Sequence, residues 1–443
     1  MTINSVTEAY RRKCISFEEA AGLVKDNEFI STALGATGVS PEFYEALLDR
    51  CEEVRGVKIM DSLQLKPSRL YDPAFMKPIE EHILFTPTFG AARVREAYKA
   101  NCDFIPNNVL DGGAMMANRA TYHIFQVTPP NSKGYLNLGL TNDYTLQSVK
   151  EGIALGKTRL VVGEVNEQMP VVFGDNWLHI SEFDYFIENS SEPVEFKRAE
   201  TSVVEETIAH YVLELIEDGD TIQMGIGGIP EAVASGLRGK HHLGIHSEMF
   251  PLGLPRMIEE GIVDNTRKPV HQGISISTFC LGDKSMYDFV AENPACQIYP
   301  AVHTNWPALI AQHEGMVAMN MALQIDLSGQ ITAEGLGHRM ISGAGGQLDF
   351  AMGAYWSKRG KPITLLRAAR KGANGELISA ILPELPLGSP VTVPRTFACY
   401  IITEYGVADL RYKTRRERAQ ELISIAHPEL RDELRFHMRK NFY

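Results

Sequence analysis

Cysteine is sparse in this chain and badly placed for staples. The six cysteines stand at 14, 51, 102, 280, 296 and 399, with no CxxC pair and no histidine at metal-ligand spacing. That excludes a disulfide framework or a cysteine-based zinc site and fits reduced thiols in a reducing compartment. Long apolar runs are also missing: none approaches the about eighteen residues of a membrane helix. The opening MTINSVTEAYRRKC lacks the apolar centre of a signal peptide. The expectation is a cytoplasmic protein with no membrane partner. Positive charge is in deficit, with 43 Lys and Arg against 55 Asp and Glu, a net charge of −12. Nucleic-acid binding needs clustered cations, so no nucleic-acid partner is expected. The basic run Lys413 to Arg418 precedes a helical pattern and reads as a solvated helix face. No GxxxxGK[ST] or HExxH is found, and no Ser-His-Asp set stands out.

What is present is an ordinary globular composition, 443 residues with 44% hydrophobic and 22% charged. That length predicts two or three domains. The most organised stretch runs from Asp218 to Phe250. It reads as a strand, Thr221 to Met224, a glycine turn from Gly225 to Pro230, a helix from Glu231 to Leu237, and a second strand into His246-Ser247-Glu248-Met249. An earlier stretch repeats the plan: helix Phe17 to Val24 capped by Ser16 with Glu19, strand Glu28 to Ala33, turn Gly35 to Pro41, helix Glu42 to Cys51 and strand Val57 to Met60. A Pro-Glu pair opens the helix in both, at Pro41 and Pro230. A second pairing sets Arg159 to Val165 beside Tyr400 to Gly406, each a strand ending at a Glu. Alternating strands and helices predict an α/β chain of βαβ units and mostly parallel sheets. The expected plan is two related α/β domains, 1–190 and 200–443, joined by a hinge over 191–199, with the site in the cleft between them. The segment Arg415 to Phe442 is expected to form packing helices broken at Pro428.

Carboxyl ends of parallel strands are where ligands sit, which singles out Glu248. Its neighbours Ile245, Met249 and Phe250 are apolar. A carboxylate there can attack an acyl thioester and pass through covalent intermediates, with no metal required. Gly225-Ile226-Gly227-Gly228 lacks the third glycine of a dinucleotide fingerprint, so a nicotinamide-dependent dehydrogenase is disfavoured. The turn still offers close backbone approach and free N–H groups at a helix start, unless glycine is there for sterics alone. Ser342 to Phe350, SGAGGQLDF, offers a second set of backbone donors suited to an oxyanion; a plain turn is the alternative. His246 reads as a satisfied structural histidine, and Met316 to Met321 as core.

At these residues the chain resembles the class I coenzyme A transferases of the acetyl-CoA hydrolase/transferase group, most closely the 4-hydroxybutyrate and butyryl-CoA:acetate transferases. The resemblance spans nearly the whole chain. It rests on Thr128-Pro129-Pro130 with Gly134, Asn142-Asp143-Tyr144, Glu164-Val165-Asn166, Met169-Pro170, Gly225 to Pro230, Gly244 to Met249, Gly343 to Phe350 and Thr403 to Gly406. It implies two similar open α/β domains with the active site between them, and Glu248 as the residue that forms a glutamyl-CoA thioester. It further implies a CoA site lined by Gln223, Met224, Gly225, Ile226 and Gly227, with Gly346 as oxyanion and CoA contact and Leu323 as another contact. Relatives carry a small-residue stretch with a lysine where this chain has Leu366 to Lys371. A cation is kept there, and Lys371 is the candidate contact to the CoA phosphates. The turn Gly35 to Ser40 also departs, which bears on the acid accepted.

The resemblance therefore implies transfer of CoA from acetyl-CoA or succinyl-CoA to a short-chain acid such as 4-hydroxybutyrate, butyrate or itaconate. No cofactor would be tightly bound, because the coenzyme A thioester is a substrate. A homodimer or homotetramer is the expected assembly. An acyl-CoA hydrolase using the same glutamate and a non-catalytic CoA-binding protein are the alternatives.

Overall fold

The computed structural model describes residues 3–63, 65–90, 92–97, 102–196 and 200–442. Two compact units divide the chain. The first takes it up to Phe196 and then Ser277–Thr304; the second takes the intervening stretch to Ile276 and everything from Asn305 onward.

In the first unit, α1 (Phe17–Gly22) starts with the expected capping box. Glu19 N–H donates to Ser16 Oγ at 3.1 Å, and Ser16 N–H to the Glu19 carboxylate at 2.8 Å. Six strands follow: β1 (Phe29–Thr32), β2 (Val57–Met60), β3 (Ile83–Phe85), β4 (Tyr122–Val127), β5 (Leu160–Val165) and β6 (Tyr185–Glu188). They lie in the order β3-β2-β1-β4-β5-β6, every neighbouring pair parallel. Strands β1, β4 and β5 are buried at every position, as parallel strands covered on both faces must be. β1 leads through a 3-10 turn, Gly35–Thr37, into α2 (Pro41–Asp49), whose first residue is proline. Phe43, Tyr44 and Leu47 of α2 pack in one core with Tyr122 and Phe85.

The second unit begins with α3 (Val203–Leu215), capped by Ser202 and Glu205. The strands of its largest sheet are β7 (Thr221–Met224), β8 (Gly244–Ile245), β9 (Met316–Met321), β10 (Lys361–Leu365), β11 (Tyr400–Thr403) and β12 (Gly406–Asp409). The order is β8-β7-β9-β10-β11-β12, parallel except for the antiparallel edge strand β12. Helices α4 (Gly228–Gly236) and α5 (Gln347–Trp356) follow glycine loops. The C-terminal helices α6 (Arg415–Ser424) and α7 (Arg431–Phe442), interrupted at Pro428, supply Leu422, Ile423 and Met438 to the core. The Met-rich β9 is a central strand, buried from Met316 to Met319.

The two sheets share a plan. β2-β1-β4-β5-β6 in the first matches β8-β7-β9-β10-β11 in the second, so the similarity of the Gly35 and Gly225 stretches is topological. The second sequence pairing fails. β5 is fourth in that shared order and β11 is fifth, so the two strands ending at Glu are not equivalent. Strand-plus-Glu is too short a pattern to carry position. Glu164 is instead a buried clamp: it accepts Ser40 N–H at 2.8 Å, the Ser40 hydroxyl, and Asn189 Nδ2 at 2.9 Å.

The expected single division also meets a difference. Of the hinge 191–199, residues 191–196 are irregular and 197–199 lie outside the described residues. Residues 277–304, expected in the second domain, pack with the first unit. Main-chain bonds are the reason: Cys296–Ile298 pairs in parallel with Phe173–Gly174, Cys280 N–H donates to Leu140 O at 2.7 Å, and Asn142 N–H to Thr278 O at 2.9 Å.

Candidate active site

In the second unit the strand order reverses between β7 and β9, and ligands of open α/β sheets sit beyond the carboxyl ends at such a point. Gln223 on β7 and Asn320 on β9 meet there, their amides exchanging two hydrogen bonds of 3.2 Å each. Met224 ends β7, buried to 1% exposure. Gly225, Ile226 and Gly227 form the turn into α4. Gly227 has φ +123°, in the region that favours glycine, and a Cβ on Gly225 or Gly227 would meet no neighbour within 4 Å. One face of the turn is therefore open to close approach. Gly228 is different, because a Cβ there would overlap the Glu205 carboxylate.

Glu248 lies just past β8, which is only two residues long where the sequence predicted a strand through Met249. The backbone before it is pinned on both sides. His246 N–H donates to Ile222 O and Ser247 N–H to Ile276 O, each at 3.2 Å, and Ser247 Oγ reaches Met224 O at 3.2 Å. Beneath it His246 is fully buried, its Nδ1 2.9 Å from His313 Nε2, which makes it a structural histidine. Burial pushes His313 down to about 3. Lys268, also buried, donates to Ile245 O at 2.7 Å and Ile274 O at 2.6 Å, and burial lowers it to about 7.

Donors from two elements reach the Glu248 carboxylate among the described residues. Asn305 Nδ2 stands 2.9 Å from Oε2, and Gly346 donates its N–H. Gly346 caps α5, and a Cβ there would overlap both Glu248 Oε2 and Asn305 Nδ2. Only glycine lets the helix start come this close. Burial raises the Glu248 pKa above the ordinary carboxylate value, while the Asn305 and Gly346 hydrogen bonds pull the other way. The result is a partly buried carboxylate that meets the Asn305 amide and the Gly346 N–H, an arrangement that suits a nucleophile whose own carbonyl later becomes an oxyanion.

The structure thus brings Glu248 and Gly346 together, with Gln223 to Gly227 at the neighbouring strand end. Leu323 sits in the turn after β9, half-buried, its N–H donating to Thr332 O at 2.9 Å. Lys371 is exposed on a hairpin, Ala369–Lys371 against Leu377–Ser379, and no contact among the described residues joins it to Glu248. Arg367, by contrast, reaches Glu205 at 3.0 Å, below the glycine turn. Asn305 and Asp349 were missed. Asn305 follows a short helix in no periodic pattern, 57 residues from Glu248, so nothing local marks it.

Comparison with known proteins gives the same reading of the whole chain. Residues 3–197 match the acetyl-CoA hydrolase/transferase N-terminal domain, and 282–438 its C-terminal domain. The chain is 34% identical to the 4-hydroxybutyrate coenzyme A transferase of Clostridium kluyveri, over 98% of this chain and 99% of that one. It is 36% identical to the succinyl-CoA:cyclohexane-1-carboxylate CoA transferase of Geobacter metallireducens, over 97% and 96%. A crystal structure of RipA from Yersinia pestis superposes with a TM-score of 0.87 at 30% identity, covering 98% and 99%. With two related, mostly parallel sheets, a glutamate just past a strand end and full-length similarity of this kind, the chain belongs to the acetyl-CoA hydrolase/transferase family.

Proposed function

We propose that this chain is a coenzyme A transferase that moves CoA from an acyl-CoA donor to a short-chain carboxylic acid through a glutamyl-CoA thioester on Glu248. One observation carries the reading: the Glu248 carboxylate, beside the glycine turn that ends β7, is held by Asn305 Nδ2 and Gly346 N–H. In the first step its oxygen attacks the thioester carbonyl and CoA leaves as thiolate, giving an acyl-glutamyl anhydride. The thiolate then attacks the Glu248 carbonyl, and the first acid leaves as carboxylate. The tetrahedral oxyanion formed on Glu248 in that step accepts from Asn305 Nδ2 and Gly346 N–H. A second carboxylate reverses both steps and departs as its CoA thioester. No proton is gained or lost, and ping-pong kinetics follow.

Gln223 to Gly227 and Leu323 are assigned to the CoA site, with Lys371 at the phosphate end. Acetyl-CoA or succinyl-CoA is the proposed donor. The proposed acceptor is a small acid of the kind that relatives' names carry, 4-hydroxybutyrate or butyrate, or a related one such as itaconate. The test is intact mass after incubation with acetyl-CoA or succinyl-CoA. A CoA adduct is expected, absent in Glu248→Ala and discharged by the accepted acid from a panel. No adduct under turnover would sink the mechanism; CoA release that needs no added acid would make the chain a hydrolase.

A further inference from the structure

Helix α5 brings more to Glu248 than its first N–H. Asp349, the third residue of α5, is buried to 2% exposure, and its Oδ2 lies 3.3 Å from Asn305 Nδ2. The same nitrogen is 2.9 Å from Glu248 Oε2. A carboxamide nitrogen has two hydrogens, and here each has its own carboxylate. Asn305 is fully buried and its Oδ1 accepts from none of the described residues, so the orientation of the amide is set on its nitrogen side.

We propose that Asp349 is a positioning residue that fixes the Asn305 carboxamide with Nδ2, not Oδ1, towards Glu248. The inference rests on Glu248 being the nucleophile. A half-turn of the amide would set Oδ1 against two carboxylates in a buried site, where like partial charges repel strongly. Glu248 alone cannot enforce this through a turnover. Once acylated or converted to its thioester, it carries no negative charge, and its hold on the amide weakens. Those are the states from which an oxyanion must next form on its carbonyl. Asp349 takes no part in the bond changes, so its Oδ2 remains an acceptor for Asn305 Nδ2 through every step and keeps the donor in place. It sits three residues after Gly346, so one helix start supplies both the direct N–H donor and the clamp on the second donor.

The experiment is a double-mutant cycle between Asp349→Asn and Asn305→Ala, read as kcat and KM in the transferase assay. Asp349→Asn is close in shape but can present either a donor or an acceptor to Asn305. It should lower kcat by about 10- to 100-fold, the range found for groups that orient a first contact. KM for the acyl-CoA should hold within about twofold, because the loss falls on the reacting centre. In the Asn305→Ala background the same substitution should have no further effect on kcat. Asp349→Ser runs in parallel, with thermal melts, so that the cycle survives poor folding of one variant. A wild-type kcat in the Asp349 variants, or kcat losses that multiply with that of Asn305→Ala, overturns the proposal. The CoA adduct of the unsubstituted chain separates the two readings. Its absence removes Glu248 as nucleophile, whereas its presence with multiplying losses removes only Asp349.

Discussion

At the residue scale, the site depends on how closely α5 approaches Glu248. Gly346→Ala should lower kcat by about 100-fold or more while leaving the fold intact, because the added methyl falls on a carboxylate and an amide rather than in the core. Steady-state rates with a circular dichroism melt check this. The pH dependence follows from the same contacts. As the proposed nucleophile Glu248 would react as the anion, and burial raises its pKa, so activity should fall on acidification through a pH above the ordinary glutamate value. Asn305 hydrogen-bonds the anion and lowers that pKa, so Asn305→Ala should move the acidic limb to higher pH. A limb that stays put or moves lower would contradict the assignment of Asn305. The place of Glu248 near a strand end was legible in the sequence because a strand end one helix after a glycine turn is a local pattern. Asn305 was not, because its value comes from a return of the chain that no period announces. Lys371 was read as a kept cation and stands exposed on its hairpin, while Arg367 of the same segment pairs with Glu205 of α3.

Elements were legible where a cap or a proline punctuates them. Ser16 with Glu19 is a capping box in sequence and in structure, and Ser202 with Glu205, not singled out from the sequence, is a second in the structure. Ser16→Ala should cost about 1 kcal/mol, read from urea melts, since it leaves the Glu19 N–H without its acceptor. β8 shows where the pattern misleads. The extended pattern was read through Met249, yet pairing with β7 ends at Ile245: His246 bridges Ile276 instead, and Ser247 turns its hydroxyl to Met224 O and its N–H to Ile276 O. That early end frees Glu248 from the ladder. The Glu164 and Glu404 strands looked alike for a related reason: a Glu at or just past the end of a buried strand serves any loop in need of an acceptor. Glu164 takes Ser40, and Glu404 takes Ala368 N–H at 2.9 Å.

For the whole molecule, the alternation of strands and helices made two parallel sheets legible, but not which strands correspond or where 277–304 belongs. Buried histidines predict how the chain responds to acid. His123 on β4 is 1% exposed, and burial lowers it to about 4 from an ordinary value of 6.5. Folded, it is neutral; unfolded, it takes a proton below pH 6.5. Its effect is nil above that pH and grows as pH falls towards 4, reaching on the order of 3 kcal/mol of lost stability. His123→Gln should therefore narrow the gap between denaturant midpoints at pH 7 and pH 4.5; an unchanged gap would rule the histidine out. The return of Ser277–Thr304 to the first unit also bears on how the protein is made. On the ribosome, that unit stays unfinished until Thr304 has emerged, after the intervening stretch to Ile276 has already been translated. Until then Phe173–Gly174 lacks its partner strand and Val194 O lacks the Tyr287 hydroxyl that meets it at 2.7 Å. The nascent chain must shield an open sheet edge for that interval, and a fragment cut at residue 197 would carry the same exposed edge permanently and tend to aggregate.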